Sequence, residues 1–464
     1  MSMTAIVLAA GEGTRMKSRH PKVTHTLLDR PLVSWAVRAA REAGAERIIV
    51  VIGNGADEVR ACLVNEPDVE FVEQSERLGT GHATRVALES AQIREGTLVV
   101  LSGDSPLLRG ATIASLADLV ENNDTKAAVL TMTPPDVSGY GRVLLDERGV
   151  VQAIIEDKDC TPEQRATLLE CNSGVYAFDA AALAAHINEL TNDNAQHEYY
   201  LPDMIAILRA HGLVVRSVHC DDASELLGVN SRSQLADATK VMQKRINTRL
   251  MDAGVTMLDP SLVWVGPDVT VGIDTELLPM TMLWGSTSIG EGCVVGPNTR
   301  LTDCHVGNNC SVEETVGIQA TLENEVTCGP RAYLRPGAHL LDRAHVGTHV
   351  EIKNSTIGEG SKVPHLSYIG DTTMGSGVNI GAGSITCNYD GVNKNHTTIG
   401  DDVFIGSDTM MVAPVTIGDG ALVGASSCIT LDVPPGALAL ERSDQTIIEG
   451  YAAARLEYLR KEQA

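Results

Sequence analysis

Aromatic side chains are scarce in this sequence: Phe, Trp and Tyr make up 3% of its 464 residues. The scarcity runs through both halves of the chain, so it marks neither as a special architecture. Positive charge is short as well. Thirty-six Lys and Arg against 60 Asp and Glu leave a formal net charge of -24. Nucleic-acid and anionic-membrane binders carry a basic footprint, and this balance argues against both partner classes. The acidity is shared equally by residues 1–232 and 233–464, so no acidic tail explains it. Paired cysteine motifs are missing: the ten cysteines include no Cys-x-x-Cys. Such scatter in a long chain predicts free thiols in a reducing cytoplasm, not a disulfide framework or a structural zinc site. Long apolar runs are missing too. The start, MSMTAIVLAAGEG, has no basic n-region and a short apolar run, which predicts a buried strand and neither a signal peptide nor a membrane span.

What is present has two grammars. Length alone suggests about three domains. In the first half, β-rich runs at 5–10, 47–52, 69–72 and 97–101 alternate with helix-like segments at 32–43 and 81–90. That alternation predicts an α/β domain with a mostly parallel sheet. Residues 233–252 lack Gly and Pro and place Leu235, Met242, Ile246 and Arg249/Leu250 on one side, which predicts an amphipathic connecting helix. The expected division is therefore 1–232, a helical linker 233–253, and 254–464.

The second half repeats every six residues. Val265, Val271, Leu277, Leu283, Ile289, Val295 and Leu301 keep the step, as do Ile399, Ile405, Met411, Ile417, Val423 and Ile429. A third run, Val346 and Ile352, resumes as Ile357, Val363 and Ile369 after a one-residue slip. Hexapeptide periodicity with Gly, Asp or Asn at corners predicts a parallel β-helix, whose three-hexad coils stack at about 4.8 Å. Residues 262–432 would give about nine coils. A β-sandwich is the alternative, but the chain lacks its hairpin signals. The step breaks once, between Ile385 and Ile399, where the polar segment 386–397 (TCNYDGVNKNHT) is predicted to leave the scaffold as a loop. Such loops either carry function or are tolerated insertions. A final helix is expected over 446–460.

After the first strand comes Leu8-Ala9-Ala10-Gly11-Glu12-Gly13-Thr14-Arg15-Met16, then Pro21-Lys22. Small residues let backbone N–H groups approach phosphates, and Arg15 and Lys22 add local positive charge. The spacing is neither that of the Rossmann nor that of the Walker A motif. This run resembles the sugar-nucleotide pyrophosphorylases, and Gln74 with Gly79-Thr80-Gly81-His82-Ala83 narrows the resemblance. The second half adds Arg335-Pro336-Gly337, His365-Leu366-Ser367-Tyr368, Asn379-Ile380-Gly381-Ala382-Gly383 and Cys387-Asn388-Tyr389-Asp390-Gly391. From about residue 4 to about 445 the chain resembles the bifunctional N-acetylglucosamine-1-phosphate uridylyltransferase / glucosamine-1-phosphate N-acetyltransferase family.

The resemblance implies an α/β nucleotidyltransferase domain, Rossmann-like with a mixed, mostly parallel sheet, joined by a helix to a left-handed parallel β-helix. It implies acetylation of glucosamine-1-phosphate by acetyl-CoA. Uridylyl transfer from UTP to N-acetylglucosamine-1-phosphate follows, releasing pyrophosphate and supplying cell-envelope precursor. Leu8, Ala9, Ala10, Gly11, Arg15, Lys22, Gln74, Gly79, Thr80, Ser102, Gly103 and Asp104 match the nucleotide and sugar-phosphate positions. Gly141, Glu156, Asn172 and Asn230 match sugar-binding positions, and Asp104 and Asn230 match Mg²⁺ ligands. Phosphoryl transfer of this kind asks mainly for positioning and charge neutralisation. Glu12 stands where many relatives have a basic residue, and Ser102 where some have an aromatic one.

Acetyl transfer to an amine needs a base, and histidine suits this near neutral pH. His365 matches the family's proton acceptor, with Pro364 where relatives often have a small residue. By the same resemblance Arg335, Lys353, Tyr368 and Asn379 hold the sugar phosphate. Ala382, Asn388, Tyr389, Ser407, Ala425 and Arg442 hold acetyl-CoA, and the protein is a homotrimer. Two other readings stand beside this one. One keeps only nucleotidyl transfer, with the solenoid as an oligomerisation or allosteric module; His365, Lys353 and the Asn388 loop oppose it. The other is a non-catalytic scaffold, opposed by Lys22, Asp104 and Asn230.

Overall fold

The computed structural model describes residues 2–121, 124–146, 150–194 and 196–462. The chain forms two compact units, not the three that length suggests, and the division falls between Ile246 and Asn247.

The first unit is built on a nine-stranded mixed sheet. Its strands are β1 (Met3–Leu8), β2 (Arg47–Ile52), β3 (Val69–Glu73), β4 (Thr97–Ser102), β5 (Thr125–Met132), β6 (Arg142–Leu145), β7 (Val151–Ile155), β8 (Cys171–Asp179) and β9 (Val214–His219). The order is β9-β5-β8-β4-β1-β2-β3, with β6 joining β8 and β7 at the side. Strands β4, β1, β2 and β3 run parallel, while β8 is antiparallel to both neighbours. Alternate residues of β1 face opposite layers. Ala5 and Val7 join one buried cluster with α1 (Leu32–Glu42), α2 (Ala56–Cys62) and α4 (Gly110–Glu121). Ile6 joins the other, with α3 (Thr80–Ser90), α6 (Ala180–His186) and α7 (Asp203–Ala210). This two-faced burial is why the strands read as continuous apolar runs. A short helix, α5 (Pro162–Thr167), opens on a Thr161 capping box.

Strand β1 begins and ends two residues earlier than the predicted 5–10. Ala9 still hydrogen-bonds Val51, and beyond it the chain turns towards the glycine-rich segment. Helix α8 (Arg232–Asp252) matches the predicted connector to within a residue. Its buried side differs from the expected one: Ala238, Met242, Gln243, Ile246, Asn247 and Leu250 are buried, whereas Arg249 is exposed and Leu235 half-buried. Sequence spacing missed the two amides. The side-chain amide of Asn247 is worth burying because it donates to the carbonyls of Pro260 and Val263 at 2.7 and 2.8 Å.

The second unit is a left-handed parallel β-helix made of three parallel sheets with 11, 10 and 9 strands. Nine complete three-strand coils run from Thr256 to Ile417, followed by an incomplete tenth coil and one strand of an eleventh. The hexad residues form its core. Val271 and Ile385 are half-buried, the latter with Thr386 inside in its place, and the others named above are buried. Thr and Ser side chains complete the interior, for example Thr275, Thr299 and Ser361, each hydrogen-bonded to a coil carbonyl. All ten cysteines are free thiols. The last helix, α9, is Tyr451–Glu462 and starts five residues later than predicted. Gly450 adopts φ 75, and residues before it lie outside the helix. Among the described residues, no helix is long and apolar enough to cross a membrane.

Candidate active sites

Strands β1 and β4 are parallel neighbours, paired from Met3↔Thr97 to Leu8↔Ser102. The chain leaves β1 towards β2 on one side and returns to β4 on the other. Open α/β sheets bind ligands beyond the strand ends at such a switch point. Here the backbone opens into a cleft with two contiguous parts, of about 740 and 410 Å³, sharing Leu8, Thr80, Ser102, Asp104 and Glu198. Leu8, Ala9, Ala10, Gly11, Lys22, Gln74 and Gly79 line the larger part. Arg15, Glu156, Asn172 and Asn230 line the smaller. Gly103 and Gly141 lie behind the wall: Gly103 N–H donates to Leu8 O at 2.9 Å, and Gly141 O accepts from Asn172 N–H at 2.8 Å.

Local sequence explains the wall. Gly13 takes φ 64, and a Cβ there would lie 2.4 Å from Cβ of Lys22, so the turn and the lysine stem fit only with glycine. Gly79 takes φ 105 with no room beside the Tyr199 carbonyl, and it starts α3 at Thr80. The buried Gln74 amide donates to the Gly79 carbonyl at 3.2 Å and meets His82 Nδ1 at 3.0 Å.

At the centre, the Lys22 ammonium donates to the Asp104 carboxylate and, at 2.8 Å, to Asn230 Oδ1. Ser102 Oγ donates to the other Asp104 oxygen at 2.5 Å. Val229 N–H donates to the Asp104 carbonyl at 2.9 Å, which fixes the Asn230 turn against the strand end. Residues far apart in the chain thus converge on one cation. Deeper in the smaller part, Asn172 Nδ2 donates to the Tyr176 hydroxyl at 2.6 Å, and burial pushes that phenol up. Burial also pushes the Glu156 carboxyl above its ordinary value, with Asp203, Asp159 and Asp157 adding to the shift. Glu12 forms an ion pair with Arg77, and both line the larger part. The departure at Glu12 therefore has a partner, as does the one at Ser102.

In the β-helix, the strand register carries Val346, Val363, Ile380, Ile405 and Val423 along one sheet. Two residues beyond the last four stand His365, Ala382, Ser407 and Ala425, a single file along one corner. Asp408 N–H donates to Ala382 O and Ser426 N–H to Ser407 O, rung to rung. His365 faces solvent, and among the described residues its imidazole makes no hydrogen bond. Pro364 packs against Gly347, and His365 keeps its register with Thr348, so the proline leaves the strand intact. Arg442 comes beside Gly424 on this file.

The neighbouring sheet places Tyr368 between Glu351 and Ile385. Lys353 Nζ donates to Asp371 at 3.1 Å, and Asp371 also accepts from Asn354 and Asn388. Asn388 Nδ2 reaches the Tyr368 hydroxyl at 3.4 Å. Burial raises the Asp371 pKa, but these hydrogen bonds outweigh it and hold the carboxyl below its usual range. Arg335 pairs separately with Glu351 at 2.9 Å. Asn379 pairs with Lys362 and Phe404. Within the predicted segment 386–397 only 388–396 leave the scaffold: Thr386 and Cys387 stay paired with Met411 and Val412, and Thr397 with Thr372, because strand pairing and burial hold both ends. Asn395 N–H donates to Asn388 O, and Asp390 caps the turn by accepting from Asn393 and Val392, which holds its carboxyl down to about 2. Tyr389 is exposed on this loop, its hydroxyl donating to Gly391 O.

Residues 5–194 match the MobA-like NTP transferase domain, and residues 396–430 match the bacterial transferase hexapeptide repeats. Over 448 residues, 97% of each chain, the sequence is 48% identical to the bifunctional protein GlmU of Heliobacterium modesticaldum. It is also 48% identical over 453 residues to that of Streptomyces avermitilis, covering 97% of this chain and 94% of the relative. The chain belongs to the GlmU family. Like other GlmU proteins it is a bifunctional enzyme, a nucleotidyltransferase continued by a hexapeptide transferase.

The cleft of this GlmU member suits a hard cation. Carboxylate and amide oxygens of Asp104 and Asn230 already converge on one positive group, the Lys22 ammonium, and oxygen donors of this kind fit Mg²⁺. Several residues at the two sites escaped sequence reasoning. Arg77 lines the cleft from between Gln74 and Gly79, and Glu198 and Tyr200 from a segment without a motif. Asp371 organises the solenoid group, and Lys394 lies against Lys353, whose hydrogen-bonding contact and then charge lower the Lys394 pKa. Asp371 follows the HLSY motif by only a few positions, so a search for carboxylates near cationic candidates would have found it.

Proposed function

We propose that the chain makes UDP-N-acetylglucosamine in two steps, on the division 1–232, 233–253 and 254–464. In the first, the amine of glucosamine-1-phosphate attacks the acetyl-CoA thioester carbonyl; the C–S bond breaks and coenzyme A leaves as the thiol. His365, exposed and with its ring nitrogens free to take a proton, is the base. Arg335, Lys353, Tyr368 and Asn379 bind the sugar phosphate. The file Ala382, Ser407 and Ala425, with Asn388, Tyr389 and Arg442, binds acetyl-CoA. Small side chains on the file leave the corner open for an extended ligand, and Arg442 suits a CoA phosphate.

In the second step, a phosphate oxygen of N-acetylglucosamine-1-phosphate attacks the α-phosphorus of UTP, and pyrophosphate leaves. The observation that carries this reading is the convergence of Lys22, Asp104 and Asn230 at the strand ends. Asp104 and Asn230 would hold Mg²⁺, which supplies charge neutralisation at the phosphates. Lys22, Arg15 and the N–H groups of Ala9 to Gly11 hold the phosphate chain, and Gln74, Gly79 and Thr80 position the base end. Gly141, Glu156 and Asn172 hold the sugar. The enzyme works in the cytoplasm as a homotrimer, and its product feeds cell-envelope synthesis.

The test is purified protein with glucosamine-1-phosphate, acetyl-CoA, UTP and Mg²⁺, with thiol and pyrophosphate release followed separately. Both products are expected. Pyrophosphate release from UTP with N-acetylglucosamine-1-phosphate as acceptor, without thiol release from acetyl-CoA with glucosamine-1-phosphate, would reduce the protein to a nucleotidyltransferase.

A further inference from the structure

Helices α6 and α7 end side by side on the first unit, in a place neither transferase reaction uses. His186 closes α6, Glu189 lies in the following short turn, and His211 caps α7. His186 Nδ1 lies 2.7 Å from Glu189 Oε1, and His211 Nε2 lies 2.9 Å from Oε2 and 3.1 Å from Oε1. The two imidazole centroids are 4.0 Å apart. All three donor atoms fall within 4.8 Å of one another.

We propose that His186, Glu189 and His211 bind one borderline divalent transition-metal ion of the Zn²⁺ class. Two imidazoles and a carboxylate are a donor set that suits such ions, and the imidazoles disfavour Mg²⁺ and Ca²⁺. Zinc bonds of about 2.0–2.1 Å place tetrahedral donors about 3.3 Å apart. The observed separations of 2.7 to 3.1 Å need only small movements to admit an ion. Both histidines sit at helix C-termini, where the backbone carbonyls favour positive charge. Water completes the shell, because Glu189 and His211 are about half exposed.

The site closes a span from 186 to 211 that carries Gln196, Glu198 and Tyr200 into the nucleotidyl cleft. Leu190, next to Glu189, packs beneath Gly81 at the start of α3. A bound ion therefore stiffens one wall of the cleft from outside it.

The experiment uses full-length protein stripped with EDTA and titrated with CoCl₂ in excess MgCl₂. One equivalent of Co²⁺ is expected to bind, with visible d–d absorption, no thiolate charge-transfer band, and displacement by Zn²⁺. Zn²⁺ should also raise the Tm of the parent protein. The double variant His186→Ala/His211→Ala should lose that site and the Tm response, while circular dichroism and Mg²⁺-supported pyrophosphate release stay at parent levels. Glu189→Gln should weaken binding at least about tenfold, and it decides the question if the histidine variants do not fold. Absence of stoichiometric Co²⁺ binding, a thiolate band, or undiminished binding in folded variants would overturn the assignment.

Discussion

The two candidate sites are assembled in opposite ways. In the nucleotidyl cleft, Lys22, Asp104 and Asn230 meet only because parallel strands deliver distant loops to one sheet edge. Along the solenoid corner, His365, Ala382, Ser407 and Ala425 stand one coil apart, and no long-range folding is needed to align them. The first arrangement is concave and its groups hold one another; the second is open and its imidazole is unpartnered. Convergence gives a preorganised charge cluster, whereas repetition gives an extended track.

The sharpest way to break this comparison is to disable each site alone. Asp104→Ala should lower pyrophosphate release by roughly 10²–10³-fold, and His365→Ala should lower thiol release by roughly 10²–10⁴-fold. Each should leave the other reaction within about twofold. Steady-state assays of both products check this, and near-full acetyl transfer in the His365 variant would remove its role as base.

Gly13→Ala should follow, because the new Cβ meets the Lys22 stem at 2.4 Å in a left-handed backbone. Uridylyl transfer should fall about tenfold or more and thermal stability by about 1 kcal/mol or more, with acetyl transfer kept. In the solenoid, Asp371→Asn should raise KM for acetyl transfer about tenfold, since Lys353 and the Asn388 loop lose a shared charged acceptor. Unchanged KM values would show that the loop is held by its own turn.

The smallest effect concerns Glu156. Its carboxyl has a raised pKa in the folded protein, so the folded state binds its proton more tightly than the unfolded chain. Stability therefore falls as pH rises from the ordinary carboxylate range through the raised value. Glu156→Gln should raise Tm near neutral pH, and the gain should vanish as pH drops below about 4.5. A gain that persists in acid would assign the effect to packing.

The same contrast governs what could be read from the chain. The coil count and the buried hexads were legible because their period is local, and nine complete coils are present. The loop within 386–397 was legible as a broken step, though not its ends, which stay in the strands. Asp104 and Lys22 were legible through motifs, but Glu198 and Tyr200 were not, since only the folded sheet brings them to the cleft; Arg77 stood inside the Gln74–Gly79 motif and was passed over. Asn247 was missed because helical spacing ranks an amide as solvent-facing, while two carbonyls of the first coil receive it. The last helix starts later than expected because Gly450, in the left-handed region, separates it from the irregular residues before it.

The single file on the solenoid corner also sets a unit of length. Its rungs are spaced by the inter-strand distance of about 4.8 Å, so the reach between His365 and any other rung comes only in whole steps. Insertions or deletions of an entire coil would lengthen or shorten this ruler and keep every rung facing the same way. A change of a few residues is instead absorbed by a loop, as between Ala382 and Ser407, and leaves the following rungs in file. The corner can be adjusted to ligands of different length, but only by counting.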